Sequence, residues 1–275
     1  YWKKQREMKG VEAEWDIYSG KYKLYTSYTR EMSGDDVGVW FDYDTDEGEA
    51  IEVKMGISYV SIENARLNMN TEQPGFDFDK VRTAASTMWN KDLSKVQVEG
   101  GTKDEKTIFY TGMYHLLIHP NILQDVNGEY PMMESLKVGH TTGNRYTVFS
   151  LWDTYRNVST LMTLLYPERQ LDIIRTMLDM YRENGWLPKW ELYGRETFTM
   201  EGDPSIPYIV DAWMRGLRDF DEQTAYEAMR KGATTPGEFN LLRPDGNGNF
   251  LPARSGFLWS GFYKHFLLYP LPYRR

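Results

Sequence analysis

Between Phe149 and Pro207, three tryptophans (Trp152, Trp186 and Trp190) lie among five carboxylates: Asp153, Glu191, Glu196, Glu201 and Asp203. Arg156, Lys189 and Arg195 are close by in the sequence. These residue types suit a sugar. Aromatic faces cover the apolar C–H face of a pyranose, while carboxylates and guanidinium groups fix its hydroxyls by hydrogen bonding. Cleavage of a glycosidic bond draws on a pair of carboxylic acids, so the same mixture fits glycoside hydrolysis. The alternative is that the tryptophans are packing residues and the acids lie at the surface.

Each candidate carries its own pair of readings. Asp153 follows Trp152 at the predicted N-terminal end of a helix, where the helix dipole favours a carboxylate with or without a ligand. Arg156, three residues on, is either a further substrate contact or the ion-pair partner of Asp153. Trp190, Glu191, Glu196 and Asp203 fall on an irregular stretch bounded by Pro188 and Pro204, and loops on a rigid scaffold commonly carry site residues. Glu191 is otherwise an ion-pair partner of Lys189 or Arg195. Asp203, directly before Pro204, is otherwise the N-cap of the next helix.

The chain changes character near residue 75. Before it, alternating segments at Lys21–Thr26, Val37–Phe41 and Ile51–Ile57 predict strands, with turns at Ser33–Asp36 and Asp44–Gly48 and a linker at Thr71–Gly75. After it, helices are predicted at Asp79–Asp92, Asp104–Ile118, Ser150–Leu165, Pro167–Asn184, Pro207–Leu217 and Asp221–Lys231. Pro167 suits a first helical turn, and Gly185 a left-handed C-cap. Leu171, Ile174, Leu178 and Tyr181 form the expected buried stripe of the Pro167 helix. Met133, Met162, Met177 and Met180 read as core. The fold class is therefore multidomain, β followed by α. The last strands of a β-sandwich (1–74) precede part of an (α/α)6 toroid (75–245), and an atypical aromatic tail (246–275) follows.

Composition closes off several functions. A net charge of −8 argues against a nucleic-acid partner, because phosphate binding needs a basic face. The chain has no cysteine, hence no disulfide and no thiolate metal site. No apolar run is long enough to span a bilayer. His115 and His119 have helical i, i+4 spacing, but a proline follows the second and no acid is placed as in a zinc-protease motif, so no metal site is expected. The acidic run Asp42, Asp44, Asp46, Glu47, Glu49 lacks calcium-loop spacing and reads as a solvated turn.

The segments FSLWDTYR, LLYPER, GWLPKWELYGRET and MEGDPSIPYIVDA together resemble the calcium-dependent exo-α-mannosidases of glycoside hydrolase family 92. The resemblance extends upstream through GISYVSIENARLN, DEKTIFYTGMYHLLIHPN and QDVNGEY, and downstream through AYEAMRKGATTPGEFNLLRPD. It implies an exo-acting, inverting α-mannosidase, α-1,2-type, on mannose-rich glycans. A calcium cofactor and a secreted, periplasmic or cell-surface location are implied too, although this chain shows no signal peptide. The Trp152–Asp153 pair would hold mannose hydroxyls, so the candidate substrate-binding set is Trp152, Asp153, Arg156, Trp190, Glu191, Glu196 and Asp203.

The family's general acid sits in a His-Glu-Gly-x-x-Trp motif and its base in a Gly-Asn-Asp/Glu-Asp-like motif, and neither occurs here. The acid, the base and the calcium ligands are expected C-terminal to residue 275, so no catalytic residue and no metal ligand is named in this chain. The alternative is a non-catalytic carbohydrate-binding remnant. About half of the ring would be represented, and exposed apolar helix faces are expected to make the isolated fragment aggregation-prone.

Overall fold

Local sequence signals start and stop most of the helices. In the computed structural model, residues 43–197, 199–200 and 202–234 are described, together with the backbone of four further strands. Strands β1 (Glu12–Asp16) and β2 (Lys21–Tyr25) form an antiparallel hairpin, with Glu12 opposite Tyr25 and Asp16 opposite Lys21. They belong to a compact unit of residues 1–53, and residues 54–275 form a second. Strand β2 matches the strand expected at Lys21–Thr26. The strand expected at Val37–Phe41 and the turn at Ser33–Asp36 lie outside them.

In the second unit, helix α1 spans Ile62–Glu72, with the Ser61 hydroxyl accepting the Asn64 N–H at 3.0 Å. Asp77 caps α2 (Phe78–Leu93) by accepting the Lys80 N–H at 2.9 Å. The Thr102-x-x-Glu105 pattern forms a reciprocal capping box that opens α3 (Lys103–Leu116). Four short strands follow: β3 (Asn121–Ile122), β4 (Glu129–Pro131), β5 (Val138–His140) and β6 (Tyr146–Thr147). They pair antiparallel as β3 with β6 and β4 with β5.

Helix α4 is the single turn Leu151–Thr154, and α5 runs Val158–Leu165. The helix expected over Ser150–Leu165 is thus broken at Tyr155–Asn157. Helix α6 (Pro167–Asn184) has Pro167 in its first turn and ends on Gly185 at φ 86°, a left-handed conformation that glycine adopts without a Cβ penalty. A two-stranded hairpin, β7 (Glu191–Leu192) and β8 (Arg195–Glu196), precedes helices α7 (Ser205–Met214) and α8 (Glu222–Thr234). Strands β9 (Leu242–Pro244) and β10 (Phe250–Pro252) pair antiparallel.

The core gathers where α5, α6, α7 and α8 pack together. Ile174, Met177, Met180 and Ala212 are fully buried at its centre. All four methionines expected in the core are buried. Helix α6 buries more than its expected stripe: Ile173, Thr176, Met177 and Met180 join Leu171, Ile174 and Leu178, while Tyr181 is only partly covered. The helix is enclosed on several sides, so a one-face pattern underestimates it. The architecture is helix-rich, of the kind that makes up part of an α toroid.

Two expectations change. Ile51–Ile57 is not a strand: Ile57 O accepts from the Asn68 amide at 2.8 Å, and Gly56 lies directly against Ala65 O of α1. The segment runs along a helix, which leaves Met55 and Ile57 exposed. On α3 the buried residues are Met113 and Leu116. Because α3 ends at Leu116, His119 lies beyond it and does not share a helical face with His115.

Candidate functional site

The acidic and aromatic stretch divides into a surface part and a buried part. Trp152 and Asp153 sit on α4, whose first residue, Leu151, is buried in the core. Asp153 is exposed, and its carboxylate accepts from the Ser150 hydroxyl at 2.8 Å. Arg156 is not its ion-pair partner. The guanidinium lies over the Trp152 ring at 4.5 Å and over Tyr155 at 5.2 Å, and its Nε donates to the Tyr155 hydroxyl at 3.2 Å. One face of Trp152 is therefore occupied by a cation.

The second part is the β7–β8 hairpin. In its register Glu191 stands opposite Glu196, and both side chains turn inward. Two carboxylates so placed repel each other unless donors surround them. Glu191 is 0% exposed. It accepts from the Thr147 hydroxyl at 2.9 Å and from the N–H groups of Val148, at 3.1 Å, and Gly194. Its partners are thus neither Lys189 nor Arg195. Burial pushes its pKa up to about 7, against the lowering effect of those hydrogen bonds and of Arg145.

Glu196 accepts the backbone N–H groups of Lys189, at 2.7 Å, and Trp190, at 2.9 Å. Its own N–H donates to the Glu134 carboxylate at 2.6 Å, and the Glu134 N–H donates to Gly194 O at 2.7 Å. Both acids thereby clamp main chain. Trp190, half-buried and directly ahead of Glu191 in sequence, is positioned by its N–H to Glu196 and by its carbonyl, which accepts from Thr197.

The hairpin turns at Tyr193 and Gly194, both at positive φ, 52° and 82°. A two-residue turn of this kind matches the twist of the strands. Tyrosine is a costly choice for its first position, by about 1–2 kcal/mol relative to glycine. The Tyr193 N–H donates to Thr147 Oγ1 at 2.7 Å, and the ring stacks on Tyr59 with centroids 4.9 Å apart.

Asp203 does not cap α7 through its side chain: that helix has Pro204 at its N-cap and no side-chain cap bond. Its carboxyl instead presses on Gly232 of α8, where only a hydrogen leaves room. Burial raises its pKa to about 7, with Lys189 opposing and Glu196 reinforcing the shift. Glu201 lies outside the described residues.

The surface and buried parts are joined through main chain: the Phe149 N–H, just ahead of α4, donates to Glu191 O at 2.9 Å. A buried charged cluster, not anticipated from local sequence pattern, lies nearby. Arg145, 1% exposed, donates to Glu183 Oε2 at 2.8 Å and lies over the Tyr130 ring at 4.5 Å. Glu183 also accepts from the Tyr130 hydroxyl and the Met133 N–H.

Among the described residues there is no group of three or more His, Asp or Glu side chains that could hold a metal ion. Asp125 and Glu129 both accept from the Asn64 amide, and Asn68, Asn127 and Ser58 donate to their other oxygens or share them. That network ties α1 to β4, and calcium does not fit it. The acidic turn at Asp46–Glu49 is solvent-exposed and closes on itself, with the Glu49 N–H donating to Asp46 O.

Comparison with known proteins gives this arrangement a lineage. The catalytic domain of glycosyl hydrolase family 92 matches residues 64–257, a span that runs past Asp245. A family GH92 α-mannosidase from Bacteroides thetaiotaomicron, solved also with mannoimidazole, is 31% identical with a TM-score of 0.70, over 84% of this chain. An inverting mannosidase of the same family from B. thetaiotaomicron VPI-5482 is 27% identical with a TM-score of 0.73, also over 84% of this chain. A protein described as an uncharacterized secreted glycosidase of Arthroderma benhamiae is 27% identical over 74% of this chain. The chain spans 31% of each Bacteroides enzyme's length and 23% of the Arthroderma protein's.

Proposed function

Because this chain belongs to glycosyl hydrolase family 92, we propose that it supplies the substrate-binding part of an exo-acting α-mannosidase. The observation that carries this is the pair of half-buried Trp152 and exposed Asp153, anchored through Phe149 to the main chain of the buried Glu191. Asp153 offers an acceptor for sugar hydroxyls, and Trp152 and Trp190 offer aromatic surface. Arg156 moves from the Trp152 ring to a hydroxyl when the sugar binds. Beneath, Glu196 fixes the main chain that presents Trp190 and Lys189, Glu191 fixes that of Val148 and Gly194, and Asp203 lies against α8.

The overall reaction is single-displacement hydrolysis: an acid protonates the glycosidic oxygen while a base activates water on the opposite face, inverting the anomeric centre. The substrate is a mannose-rich glycan of α-1,2 type, and the setting is extracellular, periplasmic or cell-surface, which the secreted description of the Arthroderma relative supports. Calcium would bind outside the described residues. The sandwich and the toroid are the proposed frame, with residues 1–74 and 75–245 as their respective parts and 246–275 as a tail of its own.

A second reading has its own support. Both hairpin acids are spent on backbone N–H groups, which suits a chain that binds a saccharide without cutting it. Incubation of the full-length protein that carries this chain with p-nitrophenyl α-mannoside, with and without a calcium chelator, separates the two. Chelator-sensitive release of mannose is the outcome of the enzyme, and saccharide binding without release is the outcome of the binder.

A further inference from the structure

We propose that the stacked pair Tyr59–Tyr193 is a platform for a second pyranose ring, the one that follows the terminal mannose in the glycan. The inference rests on the mannose-binding reading above. The two rings lie 25° from parallel, and the residues are 51% and 45% exposed. In a stacked pair each ring covers one face of the other, so the exposed area lies on the outer faces and edges.

The pair differs from Trp152 and Trp186. One face of Trp152 is covered by Arg156 and one of Trp186 by Lys231, each cation 4.5 Å from the ring. Tyr59 and Tyr193 have no cation over them among the described contacts. An aromatic face combined with a phenolic hydroxyl matches a hexopyranose, which presents a C–H face and a rim of hydroxyls.

The platform is also held rigidly to the candidate site. Tyr193 lies two residues from Glu191 on the same hairpin, and its N–H is fixed by Thr147 Oγ1, the hydroxyl that donates to Glu191. The turn carries tyrosine at a backbone position that glycine or asparagine fills more readily, so its ring is presented where the hairpin fold alone would not call for one.

The test is calorimetric titration of this chain with mannose and with α-1,2-mannobiose, repeated with Tyr59→Ala and with Tyr193→Asn, which tolerates the same turn. In the wild type the disaccharide should bind about tenfold tighter than mannose, the size of one aromatic stacking contact. Tyr59→Ala should bring that ratio close to unity with mannose affinity unchanged, and Tyr193→Asn should lower it with the melting temperature held. A ratio that survives both substitutions would mean the stack is packing alone and overturns the inference. So would a wild type that binds mannose without favouring the disaccharide. Absence of binding to either sugar would overturn the mannose-binding reading and this inference with it.

Discussion

Thr147 and Glu191 form the hinge pin of the candidate site. One hydroxyl donates to the buried carboxylate at 2.9 Å and accepts the N–H of Tyr193 at 2.7 Å, so it ties β6 to both the strand and the turn of the β7–β8 hairpin. Replacing Thr147 with valine keeps the shape but leaves the Tyr193 N–H unpaired and removes one of the three donors to the Glu191 carboxylate. The expected cost is about 2–3 kcal/mol, read as a lower urea midpoint at an unchanged slope. Thr147→Ser should recover most of it.

The raised acids set the pH dependence. From the ordinary carboxylate range up to about pH 7, the folded chain holds protons on Glu191 and Asp203 that the unfolded chain has released. Their contribution therefore favours folding at lower pH and is lost as pH rises through about 7. Thermal melts should show stability declining between pH 5 and pH 8 (chosen to bracket that window), with a shallower decline in Glu191→Gln and in Asp203→Asn. An unchanged profile in both variants would remove these groups from the balance.

Arg145 and Glu183 are a buried ion pair, and removing one partner leaves the other charged without its counterion. Glu183→Ala should destabilise the chain by about 3–5 kcal/mol, and the double variant with Arg145→Met by clearly less. Denaturant unfolding of both single variants and the double gives the coupling directly.

The contact between Asp203 and Gly232 is steric. A methyl group at Gly232 collides with the Asp203 carboxyl, so Gly232→Ala should lose about 1–3 kcal/mol despite alanine's better helix propensity. Adding Asp203→Gly should restore most of the loss in a thermal melt.

Helix α2 buries none of its residues, whereas α6 holds Ile174, Met177 and Met180 at 0% exposure. Amide hydrogen exchange should be slowest in α6 and its neighbours and fast in α2. Equal protection of the two helices would show that the α2 face is covered in solution.

Much of this fold was legible because particular residues punctuate it. Pro167 and Gly185 mark the two ends of α6 by mechanisms that act within one turn. The break between α4 and α5 was not legible, since Tyr155, Arg156 and Asn157 include neither glycine nor proline. The alternation at Ile51–Ile57 misled because an extended segment lying on a helix has the same period as a strand. At the candidate site, the sequence marked a stretch of acids and tryptophans but not the inward aim of those acids. That aim depends on Thr147 and Glu134, which are 44 and 62 residues from the carboxylate and the N–H they hold. Such distant pairings leave no local trace.

The most direct test of the central claim is saturation-transfer NMR of this chain with methyl α-mannoside and methyl α-glucoside in one tube. Transfer to the mannoside and not to the glucoside, abolished by Asp153→Ala while the fold is retained, is the expected result. Equal transfer to both sugars, or transfer that survives loss of the Asp153 carboxylate, would contradict a mannose site built on Trp152 and Asp153.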